Sequence, residues 1–340
     1  MTRMRTPIAL LAILILTVSL SAQSLDIPSK YWGISFGNSK DFSGLRFNFR
    51  DRGVEHIRGI NVTLWKPYDR ENDEAVIDGL SFGLIPGGGM MRGAQIGLLG
   101  VAGMKGMRGL SVGLLGMGTG GSAIGINIGG LGVGAGENVV GLNIGGLGIG
   151  AGNNAAGINI GGLGTGAGQN MTGLNIGGLG AGAGENVTGI SIGGIGVGAG
   201  QDMTGLNIGG IGVGAGKRLI GISIGGIGVG AGERLAGVAI AGIGAGAPDV
   251  RGLIIAGVAG GGKLVQGVLV AGACNLVPSE GEIRGLAIGP VNWFKGTQTG
   301  VALGLVNYAW SLKGVQIGLI NIVRDNPSGR KVLPLINFNF

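Results

Sequence analysis

The chain of 340 residues has very few of the side chains from which reactive sites are built. It contains one cysteine, Cys274, and one histidine, His56. A single cysteine excludes an intramolecular disulfide and a cluster of thiolate metal ligands within one chain. A single histidine excludes any site that needs two imidazoles. We therefore predict that the protein is not an enzyme, binds no cofactor, and has no catalytic, cofactor-binding or metal-ligating residues.

Aromatic and charged residues are also scarce, at 4% and 12% of the chain. The formal net charge is +7, and the lysines and arginines are spread thinly along the sequence. Nucleic-acid-binding proteins instead concentrate basic residues in one patch, with aromatic residues among them. We expect no nucleic-acid partner.

The N-terminal residues have the pattern of a secretory signal peptide. Arg3 and Arg5 precede an apolar run over residues 7–20, and Ser21 and Ala22 supply the small residues of a cleavage site. The run is too short to span a bilayer as a helix. We predict a signal peptide over 1–22 and an exported protein of the outer membrane or cell surface, with the periplasm left open.

Glycine is abundant, with 83 residues, and it marks an internal repeat. The sixteen-residue frame GINIGGLGVGAGENVV begins at Gly125 and restarts without a shift as far as Gly237. This pattern divides the chain into the signal peptide, an irregular N-terminal capping region over 23–92, regular repeats over 93–266, and degenerate repeats with a C-terminal capping strand over 267–340.

Glycine at every second position opposes a helix, because each costs about 1 kcal/mol relative to alanine there. A period of two indicates β-strands. The alternation changes phase at Gly177-Gly178 and again near Glu185-Asn186, residue types that form corners. We predict an all-β fold, a β-solenoid with coils of about sixteen residues and apolar side chains inside. The alternative is an antiparallel outer-membrane β-barrel with one strand per repeat.

Two columns of the repeat are nearly invariant. The fourth position is isoleucine, which we expect to form an inward ladder: Ile128, Ile144, Ile160, Ile176, Ile192, Ile208, Ile224 and Ile240. The third position is asparagine or serine from Asn127 to Ser223. We expect these side chains to hydrogen-bond along the stack, although a polar ladder that recognises a ligand is the alternative.

Both ends depart from the repeat, as solenoid caps do. The C-terminal LPLINFNF alternates Ile336, Phe338 and Phe340, which fits a capping strand or the terminal strand of an outer-membrane barrel equally well. The N-terminal region contains a group of aromatic residues that can pack a hydrophobic cap: Trp32, Phe36, Phe42, Phe47, Phe49, Trp65 and Tyr68.

Several short motifs resemble catalytic or binding motifs. Five serines match G-x-S-x-G, but the repeat generates this pattern by itself, and the motif needs a strand-turn-helix and a histidine base: Ser35, Ser81, Ser111, Ser191 and Ser223. The stretch from Gly257 fits a phosphate-binding loop only until Leu264, where serine or threonine is required. The N-x-T glycosylation motifs that begin at Asn61, Asn170 and Asn186 reflect the residues that are common in turns.

The units GVALGLVNYAWSLK and GVQIGLINIVRDNPS, followed by LPLINFNF, resemble the bacterial surface-repeat family built on G-[LV]-Q-I-G-L-[IV]-N-[IV]. The resemblance covers roughly residues 285–340 well. The centre is a simplified form, with asparagine and glycine in place of glutamine and the second apolar pair. The resemblance implies a cell-surface or outer-membrane protein without an assigned activity.

We therefore expect an exported structural or binding repeat protein associated with the cell surface or outer membrane. Its expected partner is the cell envelope, with a protein or polysaccharide along the repeat face as a further possibility. One alternative is an integral outer-membrane barrel. A lesser one is a self-assembling or ice-binding scaffold, although the central units lack the threonine ladder typical of ice binders.

Overall fold

The computed structural model describes residues 24–67 and 72–340. The predicted signal peptide and Tyr68 lie outside these ranges. Every regular element that the model describes is a β-strand, which confirms the all-β prediction. Within the described ranges, no helix has the length and hydrophobicity needed to cross a membrane.

The chain divides into two compact units, Met1–Gly152 and Asn153–Phe340. The strands of the N-terminal unit are β1 Ser24–Pro28, β2 Trp32–Gly37, β3 Asp41–Arg50, β4 His56–Trp65, β5 Val76–Gly83, β6 Gly87–Gly97, β7 Gly100–Gly113, β8 Gly116–Thr119, β9 Ser122–Gly129, β10 Gly132–Ala135, β11 Val139–Gly145 and β12 Gly148–Ala151.

The C-terminal unit contains the remaining strands. They are β13 Asn154–Gly161, β14 Gly164–Ala167, β15 Asn170–Gly177, β16 Gly180–Ala183, β17 Asn186–Gly193, β18 Gly196–Ala199, β19 Asp202–Gly209, β20 Gly212–Ala215, β21 Arg218–Gly225, β22 Gly228–Ala231, β23 Arg234–Ala241, β24 Gly244–Gly246, β25 Asp249–Ala256, β26 Ala259–Gly261, β27 Leu264–Ala271, β28 Cys274–Val277, β29 Glu282–Ile288, β30 Val291–Leu303, β31 Val306–Val323 and β32 Val332–Asn339.

Each regular repeat forms one coil with a long strand and a short strand. Long strands pair in parallel with the long strands of neighbouring coils, so that Gly173 lies beside Gly189, and Gly189 beside Gly205. Short strands pair in the same way. Each unit is therefore a β-solenoid, as predicted. The alternative of an antiparallel barrel with one strand per repeat is wrong, because each repeat supplies two strands and they pair in parallel.

The corners lie where the sequence predicted them, and one more bend occurs inside the long strand. β15 ends at Gly177 and β16 begins at Gly180, while β16 ends at Ala183 and β17 begins at Asn186. The extra bend is at the first glycine of each coil, such as Gly173, with φ +106°. A Cβ on Gly173 would lie 2.1 Å from the carbonyl oxygen of Gly157, so only glycine fits this bend.

The predicted inward isoleucine ladder is wrong. Counting from the first glycine of a coil as position 1, the isoleucines at position 4 point outward and are half-buried or exposed, as at Ile160 and Ile240. The side chains at position 3, such as Asn175, point inward and are fully buried. Apolar residues therefore face outward on this strand while the polar residue between them faces the interior.

The narrow interior explains this orientation. At position 5, a Cβ on Gly177 would lie 1.9 Å from the carbonyl oxygen of Gly180, across the corner of the same coil. Position 5 therefore faces inward with very little space, and in the C-terminal unit it is occupied by glycine or, in three coils, by alanine (Ala241, Ala256 and Ala271). Because side chains alternate along a strand, position 3 then also faces inward and positions 2 and 4 face outward.

The core of each coil is completed by apolar side chains at positions 9 and 15. Met171, Val187, Met203 and Leu219 form the column at position 15, and all four are buried. Burial of a side chain of this size stabilises the fold by about 1.5–3 kcal/mol relative to exposure. The core is thus a stack of thin layers, each contacting only the neighbouring coils.

Both ends are covered by an antiparallel strand. In the N-terminal unit β1 pairs with β2, and in the C-terminal unit β32 pairs with β31. Both pairings are antiparallel, whereas the coils between them pair in parallel wherever their register is described. LPLINFNF is a capping strand in this fold. At the other end the cap is β1 alone, because β2 to β6 of the predicted capping region 23–92 already stack in parallel.

Candidate functional site

The serines of the G-x-S-x-G matches lie inside the solenoid. Ser35, Ser111 and Ser191 are fully buried, and Ser81 and Ser223 are nearly so. Ser111 Oγ donates a hydrogen bond of 2.9 Å to Gln95 Oε1. These hydroxyls are position-3 side chains of the interior, so the motif here is a by-product of the repeat.

The remaining candidates for chemistry are dispersed. His56 Nε2 lies 2.7 Å from Asp78 Oδ2 at the half-exposed edge of β4. Cys274 is a half-buried free thiol on β28. The phosphate-loop match crosses β26 and β27, which are both strands. Within 24–67 and 72–340, no three histidine, cysteine, aspartate or glutamate side chains form a possible metal site.

The third column of the repeat forms the hydrogen-bonded ladder that the sequence predicted. Asn127 Nδ2 donates to Asn143 Oδ1 at 2.7 Å, and Asn159 Nδ2 donates to Asn175 Oδ1 at 2.8 Å. All these amides are fully buried. A side chain that is enclosed by the core cannot reach a ligand, so the ladder is structural.

The sequence analysis missed a second ladder, which runs through β28, β30 and β31 in the last coils. Asn275 donates to Asn292, Asn292 to Asn307 and Asn307 to Asn321, at 2.7 to 2.8 Å. Asn292 and Asn307 also donate to corner carbonyls at 3.0 Å. The recurring asparagine in GACNL, GPVNW, GLVNY and GLINI was the signal for this ladder.

A buried charge cluster in the N-terminal unit was also missed. Arg46 and Asp51 are both fully buried, with Arg46 Nη1 2.5 Å from Asp51 Oδ1 and 2.8 Å from Asn61 Oδ1. Asn48 Nδ2 donates to the same aspartate oxygen at 2.8 Å. The cluster ties β3 to β4 and to the loop after β3, and its burial leaves it no access to a substrate.

The outward side chains at positions 2, 4 and 7 form an apolar face on the surface. In the C-terminal unit, the side chains at positions 2 and 4 are apolar in every coil. Position 2 has Ile158, Leu174, Ile190, Leu206, Ile222, Val238, Leu253, Val268, Leu286, Val301 and Val315; position 4 has Ile160, Ile176, Ile192, Ile208, Ile224, Ile240, Ile255, Val270, Ile288, Leu303 and Ile317. Position 7 adds a column about half exposed: Leu163, Leu179, Ile195, Ile211, Ile227, Ile243 and Val258.

The N-terminal unit has the same apolar face. Its position 2 has Ile34, Leu45, Ile60, Leu80, Ala94, Leu110, Ile126 and Leu142, and its position 4 has Phe36, Phe47, Val62, Phe82, Ile96, Val112, Ile128 and Ile144. The caps extend it: Ile27 pairs with Ile34 in one unit, and Phe338 pairs with Val315 in the other.

An apolar groove interrupts this face in the N-terminal unit. It has a volume of about 410 Å³. Val62 and Leu64 form part of its wall, between the larger side chains Phe47 and Phe82, and Phe49 closes one side. The groove offers space for hydrocarbon and almost no polar lining.

The backbone under the apolar face is hydrogen-bonded even at the corner. Ile195 N donates to Leu179 O at 2.6 Å, and Gly196 N donates to the same oxygen at 3.1 Å. Ile211 and Ile227 repeat the arrangement in the following coils. Corners usually leave peptide groups for water to satisfy, but here they bond from coil to coil.

Charged residues lie on the edge of the coil at positions 13 to 16. Arg284 Nε lies 2.8 Å from Glu282 Oε1, and this hydrogen bond holds the pKa of Glu282 below its usual range. The hydrogen bond from Arg218 likewise lowers the pKa of Asp202. Both pairs are solvent-exposed and contribute little stability. They define a charged edge beside an uncharged face.

Comparisons of the chain with protein-family models, with curated proteins and with solved structures find no match.

Proposed function

We propose that this chain is an exported structural or binding repeat protein of the cell envelope, without catalytic activity, that acts by contact through its apolar face. The observation that carries the proposal is the orientation of the long strand. It encloses asparagine and serine at position 3 and presents leucine and isoleucine at positions 2 and 4.

This orientation is the reverse of what a strand with one face in water normally adopts. Soluble monomers rarely expose a contiguous apolar patch larger than a few hundred Å², and larger patches mark interaction surfaces. Within each unit the face extends along the stacked coils as far as the cap, so the contact that covers it must be long as well. Export is supported by the N-terminal sequence, and a surface location by the resemblance of residues 285–340 to the surface-repeat family.

Cell fractionation of a matched pair of variants tests the proposal. Ile190→Lys with Ile222→Lys puts two charges on the apolar face, two coils apart. Thr172→Lys with Thr204→Lys puts two charges at the same spacing on the exposed position 16 of β15 and β19, one coil before each isoleucine. We expect the isoleucine variant to leave the envelope fraction for the soluble fraction, with retention reduced roughly tenfold, because lysine is costly in an apolar contact.

The threonine variant should fractionate like the unmodified chain. Circular dichroism of both purified variants checks that the strand content is unchanged. Equal retention of the two folded variants, or an unmodified chain recovered entirely as soluble protein, would contradict the proposal.

A further inference from the structure

We propose that the surface covering the apolar face is a phospholipid bilayer, with the outward side chains of positions 2, 4 and 7 at the boundary of the hydrocarbon. The inference rests on the proposed function, because it names the partner of the same face. Three observations support lipid over a protein: the absence of polar atoms on the face, the paired backbone beneath it, and the order of charges along its margin.

A protein bound to this face would find no side chain at positions 2 and 4 with which to form a hydrogen bond. In the C-terminal unit, eleven coils stacked at about 4.8 Å make the face roughly 50 Å long and roughly 15 Å wide. A protein interface of roughly 800 Å² on each side typically contains about ten direct hydrogen bonds. No outward side chain at positions 2 and 4 of 153–340 offers a donor or an acceptor. Hydrocarbon requires none.

A bilayer also demands that backbone groups be satisfied within the protein, since hydrocarbon offers them no hydrogen bonds. The parallel ladders satisfy this along the strands. The coil-to-coil bonds of Leu179, Ile195 and Ile211 satisfy it at the corner beside position 7. The face can therefore enter a hydrocarbon boundary without exposing an unpaired corner amide.

The margin of the face has its basic groups nearest the apolar columns. Position 16 is the residue before the first glycine of the following coil, so it lies next to position 2 of that coil. In residues 153–340, the charged residues at position 16 are Arg251, Arg284 and Lys313, and none is acidic. The acidic partners Asp249 and Glu282 lie two residues further away, at position 14. Phosphate groups lie just outside the hydrocarbon of a bilayer, where these cations would meet them.

The N-terminal unit has the same order of charges. Arg58, Arg92 and Arg108 occupy position 16, and the one acid in this column, Asp78, is paired with His56 and Arg92. Each unit thus presents an apolar face with a basic margin, the arrangement of elements that lie in a membrane interface.

Vesicle flotation with the purified full mature chain tests the inference. The vesicles are phosphatidylcholine alone, or phosphatidylcholine with phosphatidylglycerol, each at low and high salt. We expect the unmodified chain to float with both compositions. The variant Ile190→Lys with Ile222→Lys should lose more than tenfold in partition coefficient, while Thr172→Lys with Thr204→Lys keeps or gains binding.

A second pair, Arg251→Gln with Lys313→Gln, should reduce binding to the anionic vesicles several-fold at low salt and have little effect at high salt, because salt screens these charges. Circular dichroism establishes that each variant is folded. Binding of the folded isoleucine variant at the unmodified level would overturn the inference.

The two proposals fail in different ways. If the unmodified chain binds neither vesicle but the isoleucine variant still leaves the envelope fraction in cells, the face docks on a protein and the lipid inference is wrong. If the isoleucine variant stays in the envelope, the proposed function itself is wrong.

Discussion

Glycine has two different roles within a single coil. At Gly209, position 5, a Cβ would lie 2.0 Å from the carbonyl oxygen of Gly212, so a side chain would crowd the corner of this coil. At Gly214, position 10, nothing lies within 4 Å of the added atom. The structurally equivalent position in later coils is Leu276, Trp293 and Tyr308. In the C-terminal unit, position 5 thus accepts only glycine or alanine, as at Ala241, Ala256 and Ala271, whereas position 10 accepts large side chains.

We predict that Gly209→Ala destabilises the protein by about 1–3 kcal/mol, as overpacking does, because its neighbours in the column, Gly193 and Gly225, are also glycine and the carbonyl of Gly212 must shift to admit the Cβ. Gly214→Ala should be neutral or stabilising by up to about 1 kcal/mol, since alanine reduces the entropy of the unfolded chain. Urea unfolding of the two variants provides the measurement. Equal midpoints would show that the interior is wider than the structure indicates.

The polar ladder at position 3 is complete in some coils and broken in others. Asn175 Nδ2 reaches Ser191 Oγ at 3.4 Å, a long contact, because serine is shorter than asparagine. Asn207 lies between Ser191 and Ser223, and among the described residues neither of its amide atoms has a partner. Ile254 and Leu269 occupy the same buried position in later coils. The ladder is therefore one of two ways to fill this position.

At the scale of the strand and the coil, the sequence predicted the repeat length, the strands and the corners. Exact repetition fixes the period, and the phase breaks at Gly177-Gly178 and Glu185-Asn186 fix the ends of the strands. The sequence did not predict correctly which side of the long strand faces inward. Alternation gives two faces but not their orientation, and the usual preference for buried isoleucine was misleading here. The deciding residue was Gly177, whose neighbour across the corner is visible only in three dimensions.

The coil is the unit of insertion and deletion. Removal of residues 189–204 joins Thr188 to Gly205 and preserves every position of the repeat, and it places Asn175 beside Asn207. We expect this variant to fold, with a loss of stability limited to that of one coil. Removal of residues 189–196 joins Thr188 to Val197, which moves apolar side chains out of register with both neighbours. It should fail to fold.

Thermal unfolding followed by circular dichroism separates the two deletions. A cooperative transition is expected for the sixteen-residue deletion and none for the eight-residue deletion. If both variants unfolded cooperatively at similar temperatures, stability would not depend on the stacked register described above.

At the scale of the whole molecule, the fold must prevent its ends from pairing with other chains. β31 is 18 residues long, and without β32 its outer edge over residues 314–322 would be a row of unpaired backbone groups. β32 covers that edge, and its own free edge is poorly suited to pairing with a strand of another chain. It contains Pro334, which has no N–H, and Leu335 with φ +63°, and its pairing shifts register between Gly318 and Asn321.

We predict that deletion of residues 332–340 causes self-association, because the edge of β31 then offers a long, regular template beside the apolar face. Light scattering of the purified chain over a range of concentrations provides the measurement, with detergent present in all samples to cover the apolar face. Deletion of Phe340 alone is the matched control. Phe340 is 93% exposed and lies beyond the last residue of β32, so its loss leaves the edge covered.

The strand edge is responsible if the longer deletion associates even in detergent while the control stays monodisperse. If both deletions scatter like the unmodified chain, β31 does not need its cap and the irregularities of β32 have another cause.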